Sequence, residues 1–330
     1  MKIINIRFRT LASMLGIIGI SAGIVGTASA ADWPTRPVTI VVPFSAGGAT
    51  DILGRLMADK LGTMWGQSVV VENKPGAGGN VGTSGVGRAT PDGYTLLMAG
   101  GSIFTVSPHL YKDLPFDTKK DFVPVTNVAA GPMVIVTSKE LKAKTLKELI
   151  DYGRQNPGGL NVGSAGLGTQ VHMAGENFSY AADIKMTHIP YRGEAAAYTE
   201  LMAGQIDVVV GNVGAVSSLV DSGRLNALAV AGETRAPMLP DVPTASEAGL
   251  AGFTNYGWFG LVAPAGTPKE VIEKIQQDTA KVLAMPDVKE RVETIGMTPI
   301  GNTPEEFRKA IEEESDYWAK VVKDRNIVIE

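Results

Sequence analysis

The sequence predicts an α/β fold of two domains with a hinge and an inter-domain cleft. Three observations lead there. Strand-like apolar runs alternate with helical patterns, the alternation restarts near residue 133, and strand and helices return after an irregular stretch carrying Pro237, Pro240 and Pro243. Short apolar strands separated by helices mark βαβ units around a parallel sheet.

Val38–Val42 reads as a buried strand, followed by a helix from Thr50 to about Met64. Ser68–Glu72 is a second strand, then a glycine-rich turn and a helix over Gly82–Ala89, and Thr95–Ala99 is a third. Met133–Thr137 opens a second set and leads to a helix at Leu146–Arg154, where Thr145 and Glu148 have the spacing of a capping box. Leu160–Gly163, Met186–Ile189, Val208–Val210 and Leu225–Val230 complete its strands, with helices near Val171–Ala181, Ala195–Ala203 and Ala215–Asp221 between them. Trp258–Ala263 is strand-like again, and the tail holds helices at Lys269–Ala284, Asp287–Thr294 and Glu305–Lys323. A chain that leaves one α/β unit, builds another and then adds to the first predicts a discontinuous domain I, residues 31–133 and 233–330, with domain II at 134–232. Two crossings then form a hinge, and the cleft between the domains is where a ligand is expected.

Residues 1–30 are set apart from this fold. Lys2, Arg7 and Arg9 precede an apolar run from Leu11 to about Val25, and Ala28-Ser29-Ala30 gives a small-x-small cleavage signal. That is the layout of a signal peptide cut after Ala30; Ser13, Gly16, Gly19, Ser21 and Gly23 make the run a poor bilayer span. The mature chain is therefore expected in the periplasm. The absence of cysteine excludes disulfides, thiolate metal sites and a lipid anchor on cysteine. Losing three cationic residues with the signal takes the formal charge from −4 to about −7, which argues against a nucleic-acid partner. An anionic ligand would have to be captured by local dipoles. A monomer without cofactor or metal is expected: His109, His172 and His188 share no metal-ligand spacing.

Three turns carry the chemistry, each leaving a strand for a helix. Phe44-Ser45-Ala46-Gly47-Gly48-Ala49-Thr50-Asp51 has no Lys or Arg, so the donors offered to an anion are the unpaired amides at the helix start. An ordinary turn capped by Thr50 or Asp51 is the plainer alternative. Ser164-Ala165-Gly166-Leu167-Gly168-Thr169 repeats the design, with hydroxyls from Ser164 and Thr169, the backbone of Gly168, and His172 one turn into the helix as a residue that orders the loop. Arg192-Gly193, after the strand ending at Ile189, supplies a cation whose planar fork suits a second carboxylate; a surface ion pair with Glu194 is the alternative. Ser102 and Asn212, each just past a strand, are further candidates for the cleft wall. The glycine-rich Lys74–Gly82 approaches a dinucleotide fingerprint, but Val81 stands where its last glycine belongs, so it is structural or lines the cleft rim.

Together these segments resemble the Bug-type extracytoplasmic solute-binding receptors of tripartite tricarboxylate transporters. The likeness rests on Trp33-Pro34-x-x-Pro37, Pro43-Phe44-x-Ala46-Gly47-Gly48-x-x-Asp51, Val71–Gly79, Pro91-Asp92-Gly93-Tyr94-Thr95, Gly163-Ser164-x-Gly166-x-Gly168-Thr169-x-x-His172, Pro190-Tyr191-Arg192-Gly193 and Leu239–Thr244. It spans essentially the whole mature chain. The resemblance implies a periplasmic-binding-protein (flytrap) fold and no enzymatic activity. It also implies a carboxylate held between the Phe44–Asp51 and Ser164–Thr169 turns and delivery to the membrane subunits of an ion-driven tripartite carrier. Where many relatives have an aromatic residue and Asp, this chain reads Gly211-Asn212; a wall without that negative charge suggests a ligand lacking an ammonium group. A sensor presenting the bound carboxylate to a membrane kinase shares the same fold. A hydrolase built on Ser164 and His172 lacks both the nucleophile elbow and an acidic partner.

Overall fold

The structure, a computed structural model, describes residues 33–327; the signal-peptide segment and its cleavage point lie outside the described residues. Strand β1 (Val38–Val42) is buried almost throughout, as its unbroken apolar run requires. It pairs in parallel with β2 (Val69–Asn73) on one side and β3 (Thr95–Gly100) on the other. Antiparallel β9 (Tyr256–Pro264) follows β3, and β4 (Phe122–Thr137) follows β9. Helices α1 (Ala49–Trp65) and α9 (Lys269–Leu283) close one face, where Leu53, Met57, Leu61 and Ile275 meet Ile40, Leu96 and Leu261 in one apolar cluster.

The second lobe is a sheet in which the end of β4 pairs antiparallel with β7 (Val208–Asn212) and β8 (Asn226–Ala231). There β5 (Leu160–Ser164) lies parallel to both β7 and β6 (Met186–Pro190). Successive side chains of β4 point to opposite faces. Met133 and Ile135 pack with Leu149, Leu160 and Phe178, while Val134 and Val136 pack with Leu201, Ile206 and Val216. Helices α5 (Leu146–Gln155) and α6 (Gln170–Ala182) cover the first face, and α7 (Glu194–Met202) and α8 (Val213–Asp221) cover the second. The Thr145–Glu148 capping box forms as its spacing predicts.

Strand β4 is much longer than the expected Met133–Thr137. The part ahead of Met133 carries Pro124, Asn127, Gly131 and Pro132, residues that mark turns in a sequence, and its register against β9 shifts twice. This one strand belongs to both sheets, so the passage between lobes is a continuous extended segment. The return lies beside it: Asn255 donates to the Ala231 carbonyl, and its own carbonyl accepts from Met133 N–H. The last long helix, α11 (Pro304–Asp324), begins at a second capping box, Thr303 with Glu306, and lays Phe307 and Ile311 on the first lobe. Among the described residues no helix is long and apolar enough to cross a membrane.

Candidate functional site

Four helices begin at the carboxyl ends of strands and point their starts at one place. They are α1 after β1, α6 after β5, α7 after β6 and α8 after β7. The cavity between them is lined by Ser45, Gly48, Thr50 and Asp51 from the first turn and by Thr169, Gln170 and Val171 from the second. Glu194, Asn212, Ala165 and two aromatic walls, Phe44 and Phe259, complete it. It leaves about 20 Å³, room for one or two waters, and the contact of Ser45 with the Arg192 carbonyl brings the lobes together beside it. No Lys, Arg or His lines it. The positive potential comes from helix starts, and among the described residues the N–H groups of Thr50, Gln170 and Val171 have no hydrogen-bond partner.

Asp51 shapes the first turn. Its Oδ2 accepts from Gly47 N–H at 3.0 Å and from Arg55 at 2.9 Å, and its Oδ1 accepts from the Asn73 side chain. Burial pushes its pKa up, but the hydrogen bonds from Arg55, Gly47 and Asn73 outweigh that and leave it lowered. Gly48 takes the cap position without offering a side-chain acceptor, which leaves the helix start open. Ala46 and Gly47 are exposed, and Gly47 turns the chain at φ 91°. Ser45 donates from both N–H and hydroxyl to the Arg192 carbonyl, at 3.3 and 3.1 Å, and so ties the lobes together.

The second turn is ordered differently. Gly168 N–H donates to His172 Nδ1 at 3.1 Å, and Ser164 Oγ takes Gly166 N–H at 3.0 Å while lying 2.6 Å from His188 Nε2. The two imidazoles stack with centroids 4.0 Å apart. Burial, then the neighbouring His188, lowers the His172 pKa to about 3; burial lowers His188 to about 4. Both rings are therefore neutral in ordinary buffers. His172 orders the loop as expected from its position, and His188 is the partner that sequence reasoning missed. Thr169 caps α6 through its hydroxyl, which accepts from His172 N–H.

Of the expected residues, Phe44, Ser45, Gly48, Thr50, Asp51, Thr169 and Asn212 line the cavity. Ala49 lies one residue into α1 and gives its N–H to Glu194. Ser164 and Gly168 are spent on internal bonds, and Ser102 is buried at the start of helix α3 (Ser102–Thr105), outside the lining. Gly193 packs on the Ser45 backbone, where a Cβ would come within 3.2 Å of the Ser45 nitrogen. Arg192 is exposed, reaching the lobe contact through its carbonyl while its side chain stays outside the lining. Glu194 was weighed only as a surface partner of Arg192, yet it is fully buried in the site. Its Oε1 accepts from Asn212 N–H at 2.9 Å, Asn212 Nδ2 at 2.8 Å and Tyr198 hydroxyl at 3.2 Å, and its Oε2 takes Ala49 N–H at 3.4 Å. Burial raises its pKa against the pull of these bonds. The readable signal was Glu194 and Tyr198 four apart at a helix start. Gln170 was missed too; its Oε1 accepts Trp258 N–H at 3.0 Å from the other lobe.

The wall at Gly211 is not the uncharged surface the sequence suggested. A Cβ there would lie 2.0 Å from the Tyr198 hydroxyl and 3.1 Å from Glu194 Oε1, so the glycine makes room for a carboxyl arriving from the next helix. The premise that this pocket lacks an acidic side chain fails.

With that geometry in view, comparison with known proteins places the chain. The family described as tripartite tricarboxylate transporter family receptor matches residues 53–327. The chain belongs to that receptor family. Protein BugT of Bordetella pertussis is 35% identical over 315 residues, covering 95% of this chain and 97% of BugT. The structure of the periplasmic binding protein BugD superposes with a TM-score of 0.86 at 35% identity, over 90% of this chain and 100% of that one. R. palustris Rpa4515 with adipate gives 0.87 at 35% identity, over 90% and 99%. The receptor is thus a Bug-type binding protein with the flytrap architecture and not an enzyme. The buried Ser164 hydroxyl, held by Gly166 and His188, suits that assignment: it anchors a loop and is not poised over the cavity.

Proposed function

We propose that this receptor captures a small carboxylate in the periplasm between its two lobes and delivers it to the membrane subunits of a tripartite carrier. The observation that carries this is the convergence of helix starts on one cavity, with the N–H groups of Thr50, Gln170 and Val171 unpaired among the described residues and no basic side chain in its lining. Such amides attract an anion and hold it without requiring a counter-charge. The relative with adipate supports a carboxylate as the guest.

In this reading the acid group sits between the Phe44–Asp51 turn and the Ser164–Thr169 turn, held by backbone amides, while the Thr169 hydroxyl, which donates to the Gly166 carbonyl and accepts from His172 N–H, keeps the second turn in shape. Asp51, Ser164, Gly168 and His172 keep those turns in shape. Ser102 supports the wall, and Arg192 and Gly193 serve closure through the backbone. The hinge lies where β4 passes Pro132 and Met133 and where the chain returns at Asn255. Ala236, Leu239 and Val242 pack with the second lobe on one face, and Ala245 and Phe253 on the other. That packing favours a return crossing near 255 over one at 233. Lobe closure then traps the ligand.

A thermal-shift screen of small mono-, di- and tricarboxylates on the mature protein tests the reading. A ligand at about 100 times its dissociation constant stabilises the fold by about 2.7 kcal/mol, a rise of roughly 4–8 °C in melting temperature. A panel in which neutral sugars or cationic amines shift the transition and no carboxylate does would overturn it.

A further inference from the structure

The cavity has two chemically opposite halves. One presents donors: the amides of Thr50, Gln170 and Val171. The other presents acceptors. Glu194 Oε1 is saturated by three donors, whereas Oε2 has only the long bond from Ala49 N–H. A carboxylate oxygen carries about two acceptor sites, so Oε2 has capacity left. Asn212 Oδ1 is buried with no hydrogen-bond partner among the described residues. Its amide is oriented by the Nδ2–Glu194 bond, which turns the oxygen away from Glu194. Two under-used acceptors on the wall of a ligand cavity, with no cation beside them, form half of a recognition site.

We infer that Glu194, with Asn212, determines specificity by selecting acids that carry a hydrogen-bond donor, a hydroxyl or an ammonium group, on the carbon next to the bound carboxylate. The inference rests on the carboxylate-receptor reading and narrows it. The ligand's acid group takes the amides of α1 and α6. Its neighbouring donor then completes Glu194 Oε2, and an ammonium, with three hydrogens, can serve Asn212 Oδ1 as well. An acid without that donor buries both acceptors unpaired, and it brings its own charge up to Glu194. Sites built to bond a polar group reject the analogue that lacks it, because their own polar atoms are then stranded. Gly211 belongs to the same device, since any side chain there would collide with the Tyr198 hydroxyl and crowd the Glu194 carboxyl.

The test is isothermal titration of matched acids at two chain lengths: succinate, malate and aspartate, then adipate, 2-hydroxyadipate and 2-aminoadipate. In the wild type the hydroxy or amino member of a set binds about tenfold or more tighter than its plain parent. The arms separate the two donors, because Glu194 as an anion favours the ammonium and as a neutral acid favours the hydroxyl. In Glu194→Gln, a near-isostere, the preference shrinks to within about threefold. Plain and substituted acids binding equally to the wild type would overturn the inference while leaving the receptor reading intact. A preference that survives in Glu194→Gln would also overturn it. Failure of all six to bind while an unrelated class binds would remove both. The wild-type ratios need no variant, so a poorly folded Glu194→Gln does not protect the idea.

Discussion

The two turns that face each other across the cleft perform one task by different chemistry. Both must hold a glycine-rich backbone still while leaving helix-start amides unpaired. The first does it with charge: Asp51 grips Gly47, Arg55 and Asn73, and Arg55 is half exposed to solvent. The second does it with neutral, buried groups: His172 takes Gly168 N–H, and His188 meets Ser164 beneath it. Each solution keeps the organising group out of the amides' way. The difference is that a carboxylate clamp survives anywhere above its low pKa, whereas a buried imidazole pair holds only while both rings stay neutral.

The largest expected effect of a substitution is on the charged turn. Asp51→Ala leaves Gly47 N–H and one of the two Asn73 amide hydrogens without an acceptor, the other staying on the Phe44 carbonyl, and should cost about 2–3 kcal/mol in urea unfolding at pH 7. Arg55→Ala removes only the exposed half of an i,i+4 pair and should cost under about 1 kcal/mol. Equal costs for the two would mean that the clamp is an ion pair rather than a backbone anchor.

Acid should break the neutral turn first. The pKa values of His172 and His188 are depressed by folding, so the unfolded chain takes up protons before the native one does. The stability they confer is complete above about pH 6.5 and falls as pH drops toward 4 and then 3. Together the two rings contribute a loss of about 3–4 kcal/mol between pH 7 and 5, while Glu194, whose raised pKa lets the native chain take up a proton first, works in the opposite direction. The Asp51 clamp does not contribute over that range, because its lowered pKa places its loss below about pH 4. His109, held down by burial against α11, adds to the same slope. His172→Asn separates the contributions: the variant should lose a good part of the pH dependence, and an unchanged slope would assign it elsewhere.

The contrast also shows what a sequence displays and what it hides. The first turn was legible because its parts are close in sequence: strand, two glycines, helix, and an Asp at the third helical position. The second was half legible. His172 sits in the same turn as its partner Gly168, but His188 arrives from the neighbouring strand β6, and its pairing with Ser164 exists only once β5 and β6 are in register. Glu194 was hidden for a related reason. Its neighbours Ala49 and Asn212 come from two other helix starts, and beside Arg192 an acid looks like half of a surface pair. The fold was read through strands with unbroken apolar runs. The crossing strand failed that test because prolines, a glycine and an asparagine interrupt it where it bends between the lobes.

A third contact decides whether the two turns meet at all. Gly78, at φ 64° on the glycine-rich rim, lies against the Leu167 carbonyl so closely that a Cβ would stand 2.3 Å from the oxygen; Tyr111 hydroxyl donates to that same carbonyl at 2.8 Å. Gly78→Ala should hold the lobes apart and weaken carboxylate binding about tenfold by calorimetry. It should also raise the radius of gyration of the liganded protein in solution scattering. Full affinity in this variant would show that closure does not need the rim contact.

The smallest effect is expected at the cation that the sequence offered for a second carboxylate. Arg192 offers the most conspicuous cation near the cleft, yet its side chain is exposed and its part in closure is a carbonyl that accepts from Ser45. Truncation to alanine keeps that carbonyl. Arg192→Ala should therefore change carboxylate affinity by less than about threefold, while Ser45→Pro, which removes the N–H donor, should weaken it more. A tenfold loss of dicarboxylate affinity in Arg192→Ala, with monocarboxylate affinity unchanged, would bring the guanidinium back into the site as the holder of a distal acid group and shift the preference of the pocket toward longer dicarboxylates.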